Sequence, residues 1–329
     1  MKFLLYLVCL SILITIRILP HWLLPILGTI GGRLIYLIPF FKKLVVANVK
    51  TAFPEYSNDK VKTIAKESLA NMCLNMLEFA WVDGRIDRIE KYYGMSKELK
   101  DDIEKYKSEN KTIIFITPHL GSWEAAGSII PHFGEVHMCA IAKPVKNPYI
   151  DKLLNRSGRE KSKGLEIIFR NGAIQASCKA LKEGKCLAML VDQNTRARDG
   201  GAFVNFFGLP VASTTAPGVL MKYCSSHNIP YGVICGAGIR QKDGKVVTYG
   251  QTLSKDFSFY KDEVEILQEI MDISEKLVRQ YPEQYLWLYK RFLHIPPTLD
   301  EETKKRYPFY ARVPSNHFYR KIKKKIIEE

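Results

Sequence analysis

TIIFITPHLGSWE, residues 112–124, decides how this chain is read. Ile113, Ile114, Phe115 and Ile116 form an unbroken apolar run, which suits a strand covered on both faces. The run breaks at Thr117-Pro118 and is followed by His119, Gly121, Ser122, Trp123 and Glu124. Ligands of open α/β sheets bind beyond the carboxyl ends of strands, so a histidine at this point is a candidate general base. On one continuous helix, a five-residue offset turns Glu124 about 140° away from His119. The two meet only with His119 in the loop and Glu124 in the first helical turn. Gly121 would supply the backbone freedom and Ser122 a helix cap. A carboxylate beside the imidazole would fix its tautomer and stabilise the imidazolium. The alternative needs no chemistry: Glu124 complements a helix macrodipole and His119 is a loop residue.

Outward from this stretch, short apolar runs recur at 137–142, 165–169, 186–191, 231–236 and 245–249. Helical patterns fall between them near 122–131, 148–160, 173–183, 214–227 and 262–280, after amphipathic segments at 44–56 and 61–92. Such alternation predicts an α/β fold, a single mixed sheet flanked by helices. With 329 residues and no repeat or low-complexity linker, one catalytic domain is expected over 43–300. It would stand between an anchor segment at 1–42 and a basic tail at 301–329.

The anchor is expected from the apolar run Phe3–Ile16 and a second one from Ile18 to Phe41, interrupted by Arg17 and Arg33. No small-x-small cleavage site comes after it, which argues against a removed signal peptide. The first run is short for a span, so one short or tilted helix and then an interfacial segment are predicted. Lys42, Lys43 and Lys50 favour the cytoplasmic side for the catalytic domain beyond them. Gly28, Gly31 and Gly32 in the second run read as close helix packing.

The net charge of +15 calls for an anionic partner. From Lys143 to Arg170 there are eight basic residues, Arg159 among them, against three acidic ones. This is a solvated helix face or a docking surface for phosphates or an acidic carrier protein. A third stretch, CLAMLVDQNTRARDGGAFVNFFG (186–208), ends a buried strand on Asp192, Gln193 and Asn194. Arg196, Arg198, Asp199, a Gly-Gly turn and the exposed-looking pair Phe206-Phe207 come next. Two strand ends carrying ionisable groups point to a shared cleft, although an Asp/Asn/Gly-rich turn needs no function. Seven cysteines without a CxxC pair or a Cys/His cluster argue against a zinc site and a disulfide framework. P-loop, dinucleotide-binding, HExxH and GxSxG motifs are absent. With a membrane anchor in place, lipid is a better anionic partner than nucleic acid.

Taken in order, several motifs resemble those of the bacterial lipid A biosynthesis acyltransferases. These are NVKTAFPEYS, His119-LGSW-Glu124, KPVKNP, VDQNTRARDGGAFVNFFG, STTAPGVLMKY and PEQYLWLYKRF. The family often has Arg-Pro where Lys143-Pro144 stands. Glycerophospholipid acyltransferases of the wider superfamily carry HxxxxD instead, and the fold implied is glycerolipid acyltransferase-like. The resemblance implies acyl transfer from a thioester, on acyl carrier protein or coenzyme A, to a hydroxyl of a lipid A precursor, without a cofactor. It would take place at the cytoplasmic face of the inner membrane. His119 would be the base, Glu124 its orienting partner, Arg159 the oxyanion or phosphate ligand and Asp192 a support. Lys143, Asn147, Gln193, Arg196 and Arg198 would bind substrate. Another glycolipid acceptor (a phosphoinositide mannoside or a lysophospholipid) and a non-catalytic membrane-surface protein holding anionic lipid stand as alternatives.

Overall fold

The computed structural model describes residues 2–82, 85–144, 147–151, 164–169, 171–253 and 255–319. Its centre is strand β2, Thr112–Thr117, because that run has an apolar side chain for each face. Ile114 and Ile116 join the larger core cluster on one side, and Ile113 and Phe115 join a smaller cluster on the other. A strand with two apolar faces is stable only between two neighbours and beneath two layers. β2 accordingly pairs in parallel with β5 (Cys186–Leu190) and β8 (Tyr231–Arg240), Ile114 standing opposite Leu187 and Val233.

The remaining strands are β1 (Tyr93–Met95), β3 (Met138–Ala142), β4 (Leu165–Phe169) and β9 (Val246–Leu253). Among the described residues they complete a seven-stranded sheet in the order β1-β9-β8-β2-β5-β3-β4. β8 and β9 are antiparallel and the other pairs parallel, so the sheet is mixed, as expected. It is not the sole sheet. β6 (Gly201–Phe206) and β7 (Leu209–Thr214) form a separate antiparallel ribbon. Its two-residue loop, Phe207-Gly208, has φ of 55° and 68°, the double positive φ of a type I′ hairpin. Phenylalanine is a poor signal for that turn, which hides the ribbon in the sequence. The same ribbon buries Phe206 and Phe207, correcting their expected exposure. Both rings pack with Trp287 or Tyr285, and the guanidinium of Arg279 lies 4.5 Å from the Phe207 ring.

Helices α1 (Lys2–Ile18), α2 (Leu23–Leu37) and α3 (Pro39–Ala52) precede the long α4 (Asn58–Val82). α2 lies on α4 through small residues, as the glycine pattern predicts. A Cβ on Gly32 would stand 2.4 Å from the Ala70 nitrogen, and one on Gly28 2.8 Å from the Leu74 Cβ. Trp81 Nε1 donates to the Leu19 carbonyl at 2.8 Å, tying the α1–α2 joint to the body. Among the described residues no single helix is long and apolar enough to cross a membrane. α2 and α3 meet the criterion only jointly, across a 99° bend. α5 (Ile86–Tyr92) leads into β1, and α6 (Lys97–Ser108) and α7 (Trp123–Gly134) flank β2 in sequence. α8 (Pro148–Asp151), α9 (Ala173–Lys182), α10 (Ala216–Ser226) and α11 (Glu263–Gln280) continue the alternation seen in the sequence. The C-terminal segment holds α12 (Glu301–Lys305) and α13 (Asn316–Tyr319) and returns to the body. Phe318 is buried near Phe203, and the Tyr307 hydroxyl donates to the Pro210 carbonyl at 2.6 Å.

Candidate active site

His119 stands in the loop that leaves β2, two residues beyond the strand's last residue. The loop is short of room. Gly121 has φ of +64°, and a Cβ there would fall 2.0 Å from the Gly238 carbonyl oxygen, so no other residue fits without moving β8. Gly121 N–H donates to the Gln284 carbonyl (3.0 Å), Leu286 N–H to the His119 carbonyl (3.0 Å) and Ser122 N–H to the Gly238 carbonyl (2.8 Å). Residues 119–122 are therefore stitched between β8 and the 284–286 segment.

A buried polar network sits behind this loop. Glu78 of α4 and Arg240 of β8 form a bidentate pair with two contacts of 2.7 Å, the glutamate side chain being 1 % exposed. The Ser122 hydroxyl turns toward Asn75 Oδ1 (3.3 Å) and Glu78 Oε2 (3.4 Å). It holds the N-cap position of α7 without making the cap bond expected of it. Gln284 receives the Arg240 N–H and donates back to its carbonyl, while Asn71 Nδ2 donates to the Gln284 carbonyl. Asn71, Asn75 and Glu78 lie along one stripe of α4 at spacings of four and three. That polar stripe inside LANMCLNMLEFAWV was the available signal for these residues, which the sequence reading does not single out.

The carboxylate joined to His119 is that of Asp192, at the end of β5. His119 Nδ1 lies 2.6 Å from Asp192 Oδ1, and the His119 main-chain N–H donates to Oδ2 at 2.8 Å. The sequence pairs Glu124 with the ring as its orienting partner; the folded chain puts Asp192 in that place, because β2 and β5 are neighbours and end together. Glu124 is the second residue of α7 and acts on the ring by charge. Burial works to lower the His119 pKa, but Asp192 first and Glu124 after it overcome burial and hold it above the ordinary value. Burial likewise pushes Asp192 up, and the His119 charge and hydrogen bonds outweigh it, leaving the carboxyl below its usual range. Arg291, wholly buried, adds to the lowering of Asp192 and donates to the Ala212 carbonyl at 2.7 Å and to the Ser213 hydroxyl. Tyr285, 2 % exposed, also lies against Asp192. Both Arg291 and Tyr285 belong to PEQYLWLYKRF, a stretch whose individual roles the sequence does not reveal.

With Nδ1 protonated toward a buried carboxylate, the lone pair of the ring is on Nε2. Gln193 Nε2 lies 3.1 Å from it, and the Trp123 ring stands edge-on with its centroid 5.6 Å away. His119, Glu124 and Gln193 line a cavity of about 1050 Å³ between the sheet and α6–α7. Its inner wall is apolar: Leu99, Phe115, Ile130, Met138, Leu165 and Ile234. Ala140 on β3, Ala188 on β5 and Gly127 on α7 supply the room, since larger side chains at those positions would fill it. Lys143 and Arg196 line the same cavity, Arg196 bound to Asp199 at 2.6 Å. Two expected ligands stand elsewhere. Arg198 turns to His317 Nδ1 at 2.9 Å, and the Asn147 side-chain oxygen accepts the Tyr149 N–H at 3.1 Å. Arg159 lies outside the described residues. Among the described residues no group of histidine, cysteine and carboxylate side chains could hold a metal ion.

Comparison with known proteins matches residues 2–294 to the family described as bacterial lipid A biosynthesis acyltransferase. A Haemophilus influenzae protein named lipid A biosynthesis acyltransferase is 28 % identical over 310 residues, 89 % of this chain and 90 % of its own. The Escherichia coli lipid A biosynthesis palmitoleoyltransferase is 24 % identical over 283 residues (83 % and 86 %), and the myristoyltransferase 25 % over 277 (82 % and 81 %).

Proposed function

The chain belongs to the bacterial lipid A biosynthesis acyltransferase family and is an acyltransferase of lipid A biosynthesis, and we propose that His119 is its general base. The observation that carries this reading is an imidazole with Nδ1 held by a buried carboxylate, on a histidine that lines a large, largely apolar cavity. In the proposed reaction the acceptor hydroxyl gives its proton to Nε2 as its oxygen adds to the carbonyl carbon of an acyl thioester. The C–S bond then breaks and the sulfur leaves with that proton. Asp192 stabilises the imidazolium formed in between, and Glu124 balances its charge from the first turn of α7. The apolar cavity takes the acyl chain, whose burial contributes about 0.8 kcal/mol per methylene. Lys143 and Arg196, at its polar end, suit phosphate on the acceptor or an acidic acyl carrier protein as donor. Arg159 is proposed as the oxyanion or phosphate ligand on the resemblance alone.

The surface of α2 supports membrane attachment. Its buried face is Leu24, Gly28, Gly32 and Tyr36, while Trp22, Ile26, Ile30, Leu34 and Leu37 are exposed on the opposite side. An outward apolar stripe beside Lys42 and Lys43 suits the interface of an anionic bilayer, with the remaining body at 43–300 on the cytoplasmic side. The test of the catalytic reading is His119→Ala assayed with an acyl–acyl carrier protein and purified lipid A precursor. Transfer should vanish while the melting midpoint stays near that of the wild type; retained transfer would overturn it.

A further inference from the structure

We propose that Gln193 caps the base, and that this cap makes the enzyme choose the glycolipid hydroxyl over water. The inference rests on His119 being the base. The Asp192 carboxylate fixes the proton on Nδ1, so the Nε2 lone pair is the one that must accept the substrate's proton. In the structure that lone pair already has a donor, the Gln193 carboxamide at 3.1 Å.

Gln193 is exposed, directly follows Asp192, and lines the same cavity as His119. Its side chain is therefore free to swing away without disturbing the core. Its backbone neighbour is wholly buried, so the swing starts from a fixed point. The carboxamide also has two ends. Its N–H₂ meets the bare Nε2 of the neutral ring, and turned over, its oxygen meets the Nε2–H of the imidazolium. One residue can serve both states of the base.

The consequence concerns a competing reaction. An activated thioester beside a histidine at the mouth of an open cavity is exposed to hydrolysis. A water oxygen adds to the carbonyl carbon as its proton goes to Nε2; the C–S bond breaks, and the sulfur takes that proton to leave a fatty acid and a thiol. To reach Nε2, water must break the cap's net hydrogen bond, and it brings no other binding to offset that loss. The acceptor glycolipid brings apolar chains and charged groups that bind at the cavity mouth, and that binding offsets the loss of the cap. The cap thus weighs on water more than on substrate, by roughly three- to tenfold, the equilibrium weight of one net hydrogen bond.

The experiment uses the full chain, with Gln193→Ala and Gln193→Met beside His119→Ala. Thiol release from dodecanoyl- and hexadecanoyl-acyl carrier protein is measured with and without lipid A precursor, giving the ratio of hydrolysis to transfer. In parallel, the rate of His119 carbethoxylation by diethylpyrocarbonate is followed by peptide mass spectrometry, which needs no substrate. Both Gln193 variants should raise the ratio and speed modification of His119 roughly three- to tenfold. A ratio and a modification rate equal to the wild type's would overturn the cap. Loss of both reactions in His119→Ala alongside such a result sinks the cap alone, whereas transfer retained by His119→Ala sinks the base and the cap with it.

Discussion

Asp192→Asn should be far more damaging than its small change of shape implies, and the structure says why. The Asp192 carboxylate accepts twice from one residue: the ring Nδ1–H at 2.6 Å and the main-chain N–H of His119 at 2.8 Å. An asparagine has one oxygen for two donors. If that oxygen takes the ring, the amide N–H₂ faces the main-chain N–H, two donors collide, and a buried N–H loses its partner at about 1–3 kcal/mol. The oxygen therefore takes the main chain, and the amide donates to Nδ1. That reverses the tautomer: the proton moves to Nε2, and the base has no lone pair toward the acceptor. Recovering the active tautomer costs that same 1–3 kcal/mol, and the imidazolium loses a charge-assisted bond worth about 1.5–3 kcal/mol. Together these amount to roughly 2.5–6 kcal/mol, or about a 10²- to 10⁴-fold fall in kcat at 1.36 kcal/mol per decade.

The assay is single-turnover acyl transfer followed by mass spectrometry, with ¹⁵N NMR of the histidine rings to read the tautomer. The neutral ring is the active form, and its pKa lies above the ordinary 6.5 because Asp192 and Glu124 outweigh burial. Wild-type activity should therefore rise with pH through a midpoint above 6.5, and the residual activity of the variant should rise at a lower pH. A variant that keeps more than about a tenth of wild-type kcat, less than the ~1.36 kcal/mol of one decade, would refute the tautomer argument.

Glu78→Gln leaves the Arg240 charge buried without its partner, at about 3–5 kcal/mol, and should lower the melting midpoint by roughly 4–7 °C for a chain of this length. Glu78→Met with Arg240→Met should recover most of that loss; a single variant as stable as the wild type would show the pair to be idle. Ala188→Leu places a branched side chain in the cavity and should shift donor preference toward shorter acyl thioesters in a competition between dodecanoyl and hexadecanoyl donors. An unchanged preference would move the acyl chain out of this cavity. Ile30→Glu with Leu34→Glu puts two charges on the outward face of α2 and should weaken sedimentation with anionic vesicles while the melting midpoint stays unchanged. Equal sedimentation would remove α2 from the membrane contact.

Much of the sheet was legible along the chain because its cause is local. Ile113–Ile116 carries apolar side chains for both faces, and that alone marks a central strand. The break at Pro118 then sets His119 at the strand's carboxyl end, and Gly121 allows the turn after it. The glycines of α2 foretold close helix packing for the same reason, since small residues on one stripe leave room for a neighbouring helix; that this helix is α4 is a finding of the fold. The β6–β7 ribbon escaped because its turn uses Phe207 where asparagine or aspartate is the usual sign, and the aromatic pair that looked exposed belongs to that ribbon and packs against Tyr285 and Trp287.

The partners within the site belong to the tertiary structure. His119 and Asp192 are 73 residues apart, and Glu78 and Arg240 are 162 apart. Periodicity reports which face of an element is apolar, but not which strand lies next to which. Strand order puts the end of β5 beside the end of β2, and so gives His119 the carboxylate of Asp192 on Nδ1 and leaves Glu124 to act on the ring by charge from α7. The sequence by itself determined that a histidine would stand at the edge of a sheet; only packing decided which carboxylate would hold it.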